Sequence, residues 1–119
     1  MYLPPPKEVL QKLKGKEVDT VSHAKYVMHI SFDKDNMITV EAPFQLRNDC
    51  EKESRTYLDF PLSNSPAVRI LGSRVFDIDT SENGSLILSF ENGEILIVDA
   101  SEHRYEAYTL KIDGRKYVV

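Results

Sequence analysis

The tripeptide Glu-Asn-Gly occurs twice in the segment Ser81–Ala100, at positions 82–84 and 91–93, on either side of an alternating apolar run. Glycine adopts positive φ at no steric cost and asparagine tolerates it, so Asn-Gly between apolar runs is the strongest short-range signal for a β-hairpin. Two such turns in succession predict a three-stranded antiparallel meander over Val75–Ala100, and the rest of the chain must fold around it.

The first turn also predicts a register. A three-residue loop at 82–84, with Gly84 in the left-handed conformation, pairs Phe76 with Phe90 and Ile78 with Leu88. A two-residue loop would set a carboxylate against Leu88 instead. Because a slip of one residue turns a strand inside out, the apolar pattern favours the longer loop.

The register of the second turn stays open. A two-residue loop at 92–93 pairs Phe90 with Ile95, but the alternative loop length also pairs apolar residues. The strand that follows, Ile95–Val98, is apolar at every position. Such a run is typical of a strand that is covered on both faces.

A short helix is predicted near the start of the chain. Prolines 4–6 precede the segment Lys7–Gly15. Proline is tolerated in the first turn of a helix, whereas glycine ends one. Val9, Leu10 and Leu13 fall on one side of this helix. Since a helix of about two turns is not stable alone, we expect it to pack on the sheet.

The remaining strands are predicted from the alternation of apolar and polar residues. These segments are Ala24–Phe32, Met37–Ala42, Phe44–Leu46, Thr56–Phe60 and Tyr105–Val119. In the last of them a two-residue loop at 113–114 pairs Leu110 with Tyr117 and Tyr108 with Val119.

Two further segments are not assigned to strands. Arg47–Arg55 is polar and predicts a surface loop, and both a helical turn and a strand fit Ala67–Leu71. Residues 1–119 are therefore predicted to form one domain of the α+β class that is mainly β. It contains an antiparallel sheet of roughly seven to nine strands, built of the meander and hairpins, with the N-terminal helix packed on it.

Cysteine content and hydropathy narrow the functional class. Cys50 is the only cysteine, so the chain has no internal disulfide and no Cys-x-x-Cys motif, and a cytoplasmic location is expected. The sequence has no recognisable export signal, and no apolar window approaches the length of about 20 residues that a membrane-spanning helix needs. We therefore expect no membrane span.

The net charge of −4 is unevenly distributed. Residues 76–106 sum to −7, because eight Asp and Glu residues there are offset only by Arg104. Such a surface repels phosphate and attracts basic partners, so nucleic acid is not an expected ligand. The alternative interpretation is a solvated sheet face that is charged for solubility.

Asp77 and Asp79 form the most conspicuous pair of polar residues. They lie two apart on one predicted strand, so their side chains point the same way. Paired carboxylates can bind a divalent cation or carry out acid–base chemistry, but both roles need further groups that the sequence does not identify. The favoured interpretation is that they are exposed charges on one face of the meander.

Imidazole or thiol chemistry is not predicted. His23, His29 and His103 lack the spacing of a metal site, and Cys50 lies between acidic residues that disfavour its thiolate. The chain contains no phosphate-loop, hydrolase-elbow or dinucleotide-binding motif. We therefore predict a protein that is not an enzyme, with no catalytic residue, metal ligand or cofactor.

Part of the sequence resembles a pattern found in small bacterial domains, in which a hairpin of the form G-x-L-x-L-x-F-x-x-G-x-x-L-x-V is followed by Y-E-x-W/Y and a last strand. The matching residues are Ile70-Leu71-Gly72, Val75, the run Gly84–Val98 and the run Tyr105–Leu110. Small, acidic, β-rich chains of this kind resemble the immunity proteins encoded beside polymorphic toxins, including those of contact-dependent growth inhibition systems.

This resemblance implies an immunity protein that binds and neutralises a cognate toxin domain by occluding its active site. The acidic surface favours a basic nuclease as the toxin. The alternative is a small-molecule-binding or enzymatic domain with a pocket between helix and sheet, and an exposed edge strand could also pair two copies into a homodimer. The predicted partner-binding residues are all acidic: Asp49, Glu51, Glu53, Asp77, Asp79, Glu82, Glu102 and Glu106.

Overall fold

The computed structural model describes residues 4–24, 27–48, 55–57, 69–100 and 107–119. Within these ranges the chain begins with a helix, α1 (Lys7–Leu10), which continues as a 3-10 turn over Gln11–Leu13. Ten strands follow: β1 (Thr20–Ala24), β2 (Val27–Asp33), β3 (Asn36–Val40), β4 (Phe44–Asn48), β5 (Arg55–Tyr57), β6 (Val75–Thr80), β7 (Leu86–Phe90), β8 (Glu94–Val98), β9 (Tyr108–Ile112) and β10 (Arg115–Val118).

The strands divide between two five-stranded antiparallel sheets. The first sheet has the order β1-β2-β3-β9-β10, and the second has the order β5-β4-β8-β7-β6. The predicted class, mainly antiparallel β with one short N-terminal helix, is confirmed. The central pairs β3–β9 and β4–β8 join strands that are far apart in the sequence, which local turn signals do not reveal.

Both sheets contribute to a single hydrophobic core. Along β2, β3, β7, β8 and β9 buried residues alternate with more exposed ones, as on a sheet with one covered face. Ile30 and Leu110 of the first sheet and Leu88 and Leu96 of the second are fully buried in the same cluster. Burial of each such side chain adds about 1.5–3 kcal/mol to the free energy of unfolding, relative to leaving it exposed.

The N-terminal helix closes one side of this core, as predicted. Leu10 and Leu13 are buried in the core cluster, and Val9 packs against it. Gly15 has a φ of 86°, a conformation that only glycine adopts readily, so the helical segment ends there. The chain then runs beside the start of β6, where the Val75 amide donates to the Lys16 carbonyl at 2.9 Å.

Tyr108 joins the two sheets through a buried hydrogen bond. Its hydroxyl donates to the Gly84 carbonyl at 2.7 Å, linking β9 to the turn between β6 and β7. The side chain is fully buried, and burial raises the pKa of Tyr108 because the phenolate would be desolvated.

We expect Tyr108→Phe to lower the free energy of unfolding by about 1–2 kcal/mol, since the variant leaves the Gly84 carbonyl buried without its donor. The change is measured by urea denaturation. Tyr117→Phe is the matched control, because Tyr117 lies on the adjacent strand and is only half-buried. If the two substitutions cost the same, the hydrogen bond does not hold the sheets together.

One predicted strand is wrong. Ala24–Phe32 was expected to be a single strand, but Ala24 ends β1 and lies opposite Val27, the first residue of β2. The segment contains no Gly, Pro, Asn or Asp, the usual residues of a turn. Apolar alternation therefore continues through a chain reversal that has no sequence signal.

The register of the first hairpin is confirmed in part. Ile78 lies opposite Leu88, and Gly84 has a φ of 88°, as the three-residue loop requires. The pairing of Phe76 with Phe90 is wrong, because the register shifts between 75 and 77 and Val75 lies opposite Phe90 instead. The shift excludes Phe76 from the core, and it is 63% exposed.

The structure also defines the loop lengths of the other two hairpins. In the second hairpin Leu88 lies opposite Leu96, so the loop at 91–93 has three residues, like the first. In the third, Leu110 lies opposite Tyr117, which confirms the predicted two-residue loop at 113–114. That loop has positive φ at both positions, Asp113 at 50° and Gly114 at 81°, as a type I′ turn requires.

The predicted loop Arg47–Arg55 is too long at both ends. Strand β4 extends to Asn48, and β5 already begins at Arg55, while residues 49–54 lie outside the described ranges. Of the segment Ala67–Leu71, the structure describes residues 69–71: Arg69 and Ile70 form a 3-10 turn and Leu71 begins the turn that follows. Of the predicted strand Thr56–Phe60, residues 56 and 57 belong to β5 and the rest lie outside these ranges.

Candidate functional site: the outer face of the second sheet

Three isoleucines occupy the centre of the second sheet on the side away from the core. Ile87 lies opposite Ile97, and Ser89 lies opposite Ile95. All three isoleucines are partly exposed, whereas their neighbours Leu88, Leu96 and Val98 are buried. We call Ile87, Ile95 and Ile97 the isoleucine face. Strand β8 is therefore covered on one face and partly open on the other, not covered on both.

Polar residues border the isoleucine face on both sides. On the β6 side, Asp77 lies opposite Ser89 and Asp79 opposite Ile87. On the β4 side, Gln45 lies opposite Ile97 and Arg47 opposite Ile95. An apolar centre with a polar and charged border is the usual composition of a protein–protein interface.

Asp77 has a local structural role. Its Oδ1 accepts hydrogen bonds from the Ile78 amide at 2.9 Å and from Gln11 Nε2 at 3.2 Å. These bonds, first the one from Gln11, lower the pKa of Asp77 because they stabilise the ionised carboxylate. Gln11 Nε2 also donates to the Ile78 carbonyl at 2.9 Å, so this amide contacts both the carboxylate and the backbone of β6.

Asp79, two residues further along β6, makes similar contacts. Its Oδ1 accepts the Thr80 amide at 2.8 Å, and its Oδ2 forms an ion pair with Lys7 Nζ at 3.3 Å. Both aspartates therefore satisfy amides on the outer edge of β6, the last strand of the sheet. An unpaired edge is a site of unwanted strand pairing, and these carboxylates, with Gln11, close this one.

The remaining predicted partner-binding residues lie apart from this pair. Glu82 is exposed in the loop that follows β6. Asp49, Glu51, Glu53, Glu102 and Glu106 fall outside the described ranges. The structure thus brings Asp77 and Asp79 together at the border of the isoleucine face, where Asp79 contacts α1 through Lys7 and Asp77 contacts the 3-10 turn through Gln11.

Metal binding by the aspartate pair is not supported by the described side chains. Among them, no group of three or more His, Cys, Asp or Glu residues is placed to hold a metal ion. His29 lies on the outer face of the first sheet, where its Nδ1 is 3.2 Å from Thr39 Oγ1. The observed partners of Asp77 and Asp79 are an amide side chain, a lysine and backbone N–H groups.

The space between helix and sheet, proposed as a pocket in the alternative hypothesis, is filled by Leu10 and Leu13 where the structure describes it. An open depression of about 460 Å³ lies elsewhere, beside the second turn. It is lined by Leu71, Gly72, Ser73, Arg74, Glu91 and Asn92. Its walls are mainly polar residues of two turns.

Sequence reasoning missed an ion pair whose carboxylate is buried. Arg69 Nε and Nη2 lie 2.8 and 2.7 Å from Glu94 Oε1, and the Glu94 side chain is only 6% exposed. Glu94 is in phase with Leu96 and Val98 on the buried side of β8. A carboxylate in core phase requires a cation or other donors, and this was the signal that could have identified the pair.

The comparison with protein families adds one finding. A model described as "Family of unknown function (DUF6188)" matches residues 9–119. The chain belongs to this family. Searches of curated proteins and of solved structures gave no match. The DUF6188 match begins within α1, so it includes Gln11, both edge aspartates and the whole isoleucine face.

Of the described helices, none has the length and apolar character needed to cross a bilayer.

The Asp77 contacts predict a pH dependence of stability. Because the folded-state pKa is lowered, the contribution of Asp77 is present above the ordinary aspartate pKa of about 3.9 and is lost as the pH falls through the folded value. We expect Asp77→Asn to reduce the loss of stability on acidification, measured by urea denaturation between neutral and acidic pH. Gln11→Ala should act similarly, and the double variant should add little. An unchanged acid dependence in Asp77→Asn would rule out this contribution.

Proposed function

We propose that this domain acts by binding another protein through the isoleucine face. Within that class, we propose that it is a cytoplasmic immunity protein, which binds a cognate bacterial toxin domain and neutralises it by occluding the active site. The observation that supports binding most strongly is the isoleucine face itself: three partly exposed apolar side chains in a regular sheet, bordered by charges.

The geometry of this face suits a protein partner. Removal of the apolar centre from water contributes to the binding free energy. The charged border sets the orientation of the partner and excludes wrong partners. Small-molecule sites are concave, and the depression that the structure describes lies elsewhere, beside the second turn. The partner surface that complements it has an apolar centre, a basic group near Asp79 and an acidic or polar group near Arg47.

The charge of the meander supports a basic partner. Residues 75–100 contain six acidic residues and no basic one. Glu82, Glu91 and Asp99 are exposed, and the Asp79 side chain is 49% exposed despite its ion pair with Lys7. A basic nuclease domain is the kind of toxin that fits, since acidic side chains can take the place of the phosphates of its substrate.

Association kinetics test the electrostatic part of this proposal. Glu82→Lys should slow association with the toxin domain and reduce its dependence on salt, because steering acts mainly on the association rate. Glu17→Lys is the matched control: it makes the same charge change at an exposed residue beside Arg74, away from the isoleucine face. Equal association rates for both variants would contradict electrostatic steering by the meander.

Homodimer formation through an edge strand remains a further prediction. It is checked by light scattering of the purified chain across a range of concentrations. Because the β6 edge is closed by Asp77, Asp79 and Gln11, a dimer would have to use another edge.

A further inference from the structure

The outer edge of β10 differs from that of β6. The Val119 amide donates to the Tyr108 carbonyl at 2.9 Å, and the Tyr108 amide donates to the Val119 carbonyl at 3.3 Å. Hydrogen-bonded pairs alternate with non-bonded pairs along an antiparallel ladder. With Tyr117 opposite Leu110, the N–H and C=O groups of Lys116 and Val118 must therefore point away from β9.

These edge groups have no hydrogen-bond partner within the part of the chain that the structure describes. On β6 the equivalent groups are bonded to Asp77, Asp79 and Gln11. None of the described side chains covers strand β10 in this way. A row of unpaired backbone groups on an edge strand is a template for another strand.

The side chains along this edge are basic. Arg115 and Lys116 are exposed, and no ion pair in the described ranges involves either of them. Lys116 lies directly opposite Lys111 on the outer face, and like charges in that position repel. Lys111 Nζ donates to the Lys34 carbonyl at 2.9 Å, a contact that brings no negative charge. An acidic residue beside this pair would relieve the repulsion.

The other face of the edge is apolar. Tyr117 is half-buried against the core and Val119 is buried. A strand added to β10 would place alternate side chains beside Tyr117, where an apolar residue extends the core, and beside Lys116, where an acidic residue meets an exposed ammonium group. The edge therefore favours alternating apolar and acidic residues.

We propose that β10 binds an acidic, extended segment of another protein as the sixth strand of the first sheet. The added strand would pair with Lys116 and Val118 through the backbone and contact Lys116 through a carboxylate. This is strand addition, in which main-chain bonds give affinity and alternate side chains give specificity. The surface lies on the other sheet from the isoleucine face, so this proposal is independent of the one above.

Short capped peptides test it. The probe is a peptide of alternating valine and glutamate. One comparison peptide alternates valine and lysine. Two others are the glutamate peptide N-methylated at every second amide, one peptide for each of the two alternate sets of amides. We expect the glutamate peptide to bind, to slow amide hydrogen exchange at Lys116 and Val118, and to bind more weakly as salt is raised. The lysine peptide should not bind. One of the N-methylated peptides should lose at least about tenfold in affinity.

Two variants complete the test. Lys116→Glu should weaken binding of the glutamate peptide and strengthen binding of the lysine peptide. Val118→Pro removes an edge N–H that the fold does not use, so it should weaken binding with little change in thermal midpoint. Binding of both N-methylated peptides as tightly as the parent, or no slowing of exchange at Lys116 and Val118, would overturn strand addition. That outcome does not depend on either variant folding.

Discussion

Replacing Arg69 by alanine should lower the free energy of unfolding by about 3 kcal/mol, because it removes the guanidinium that lies 2.7 Å from the buried Glu94 carboxylate. The pair joins β8 to the turn at 69–72 through two contacts to Glu94 Oε1. The Arg69 side chain is 36% exposed, so water can reach the site in part, and we expect the lower end of the range known for buried pairs.

Urea denaturation measures this effect. Lys7→Ala is the control, because it breaks an ion pair whose two side chains are 60% and 49% exposed. Exposed ion pairs contribute about 1 kcal/mol or less to the free energy of unfolding. The double variant Arg69→Met with Glu94→Leu should recover much of the loss, since replacing both charges with apolar groups is often neutral. A cost for Arg69→Ala no larger than that for Lys7→Ala would show that Glu94 is not dependent on Arg69.

Leu88→Ala should lower the free energy of unfolding by about 2–5 kcal/mol, whereas Ile87→Ala, the adjacent position on the same strand, should cost about 1 kcal/mol. Leu88 is fully buried between the two sheets, so its truncation leaves a cavity. Ile87 points to the other side and is partly exposed. Chemical denaturation of the two variants under one set of conditions gives the comparison.

This pair of variants separates the fold from the candidate interface. If the isoleucine face exists to bind a partner, Ile87→Ala should weaken partner binding while the domain stays folded. Equal stability losses at Leu88 and Ile87 would mean that both faces of the second sheet are equally buried, and the face would then be unavailable to a partner.

The sequence predicted the elements whose signals are local. Asn-Gly and Asp-Gly turns gave the hairpins of residues 75–100 and 108–119, and the pairing of Ile78 with Leu88 followed from the three-residue loop. The reversal between Ala24 and Val27 was missed because it has no turn residue. The register shift that exposes Phe76 was missed because apolar character alone does not show a bulge.

The features that depend on contacts between distant residues were not predictable from local pattern. Separation into two sheets depends on the pairs β3–β9 and β4–β8. The Arg69–Glu94 pair and the closure of the β6 edge by Gln11 depend on segments that the fold brings together. The sequence predicts that Ile95–Val98 is covered on both faces, whereas Ile95 and Ile97 are partly exposed, because an apolar run looks the same whether its second face is buried or partly open.

The aspartates illustrate the same limit. Asp77 and Asp79 were predicted to share one face, and they do, but their hydrogen bonds to the amides of β6 were not foreseen. Since they also contact Gln11 and Lys7, substitutions at these two positions would change stability as well as binding. Residues of the isoleucine face are therefore the better probes of function.

The most direct experiment compares the affinities of wild type, Ile95→Arg and Thr39→Arg for the toxin domain that we propose as the partner. Ile95 belongs to the isoleucine face, and Thr39 is a partly exposed residue on the outer face of the first sheet. By isothermal titration calorimetry we expect tight binding by wild type and Thr39→Arg, and a loss of about 30-fold or more in Ile95→Arg with its circular dichroism unchanged. Equal affinity of Ile95→Arg and wild type, or no binding by the wild-type chain, would contradict the proposal.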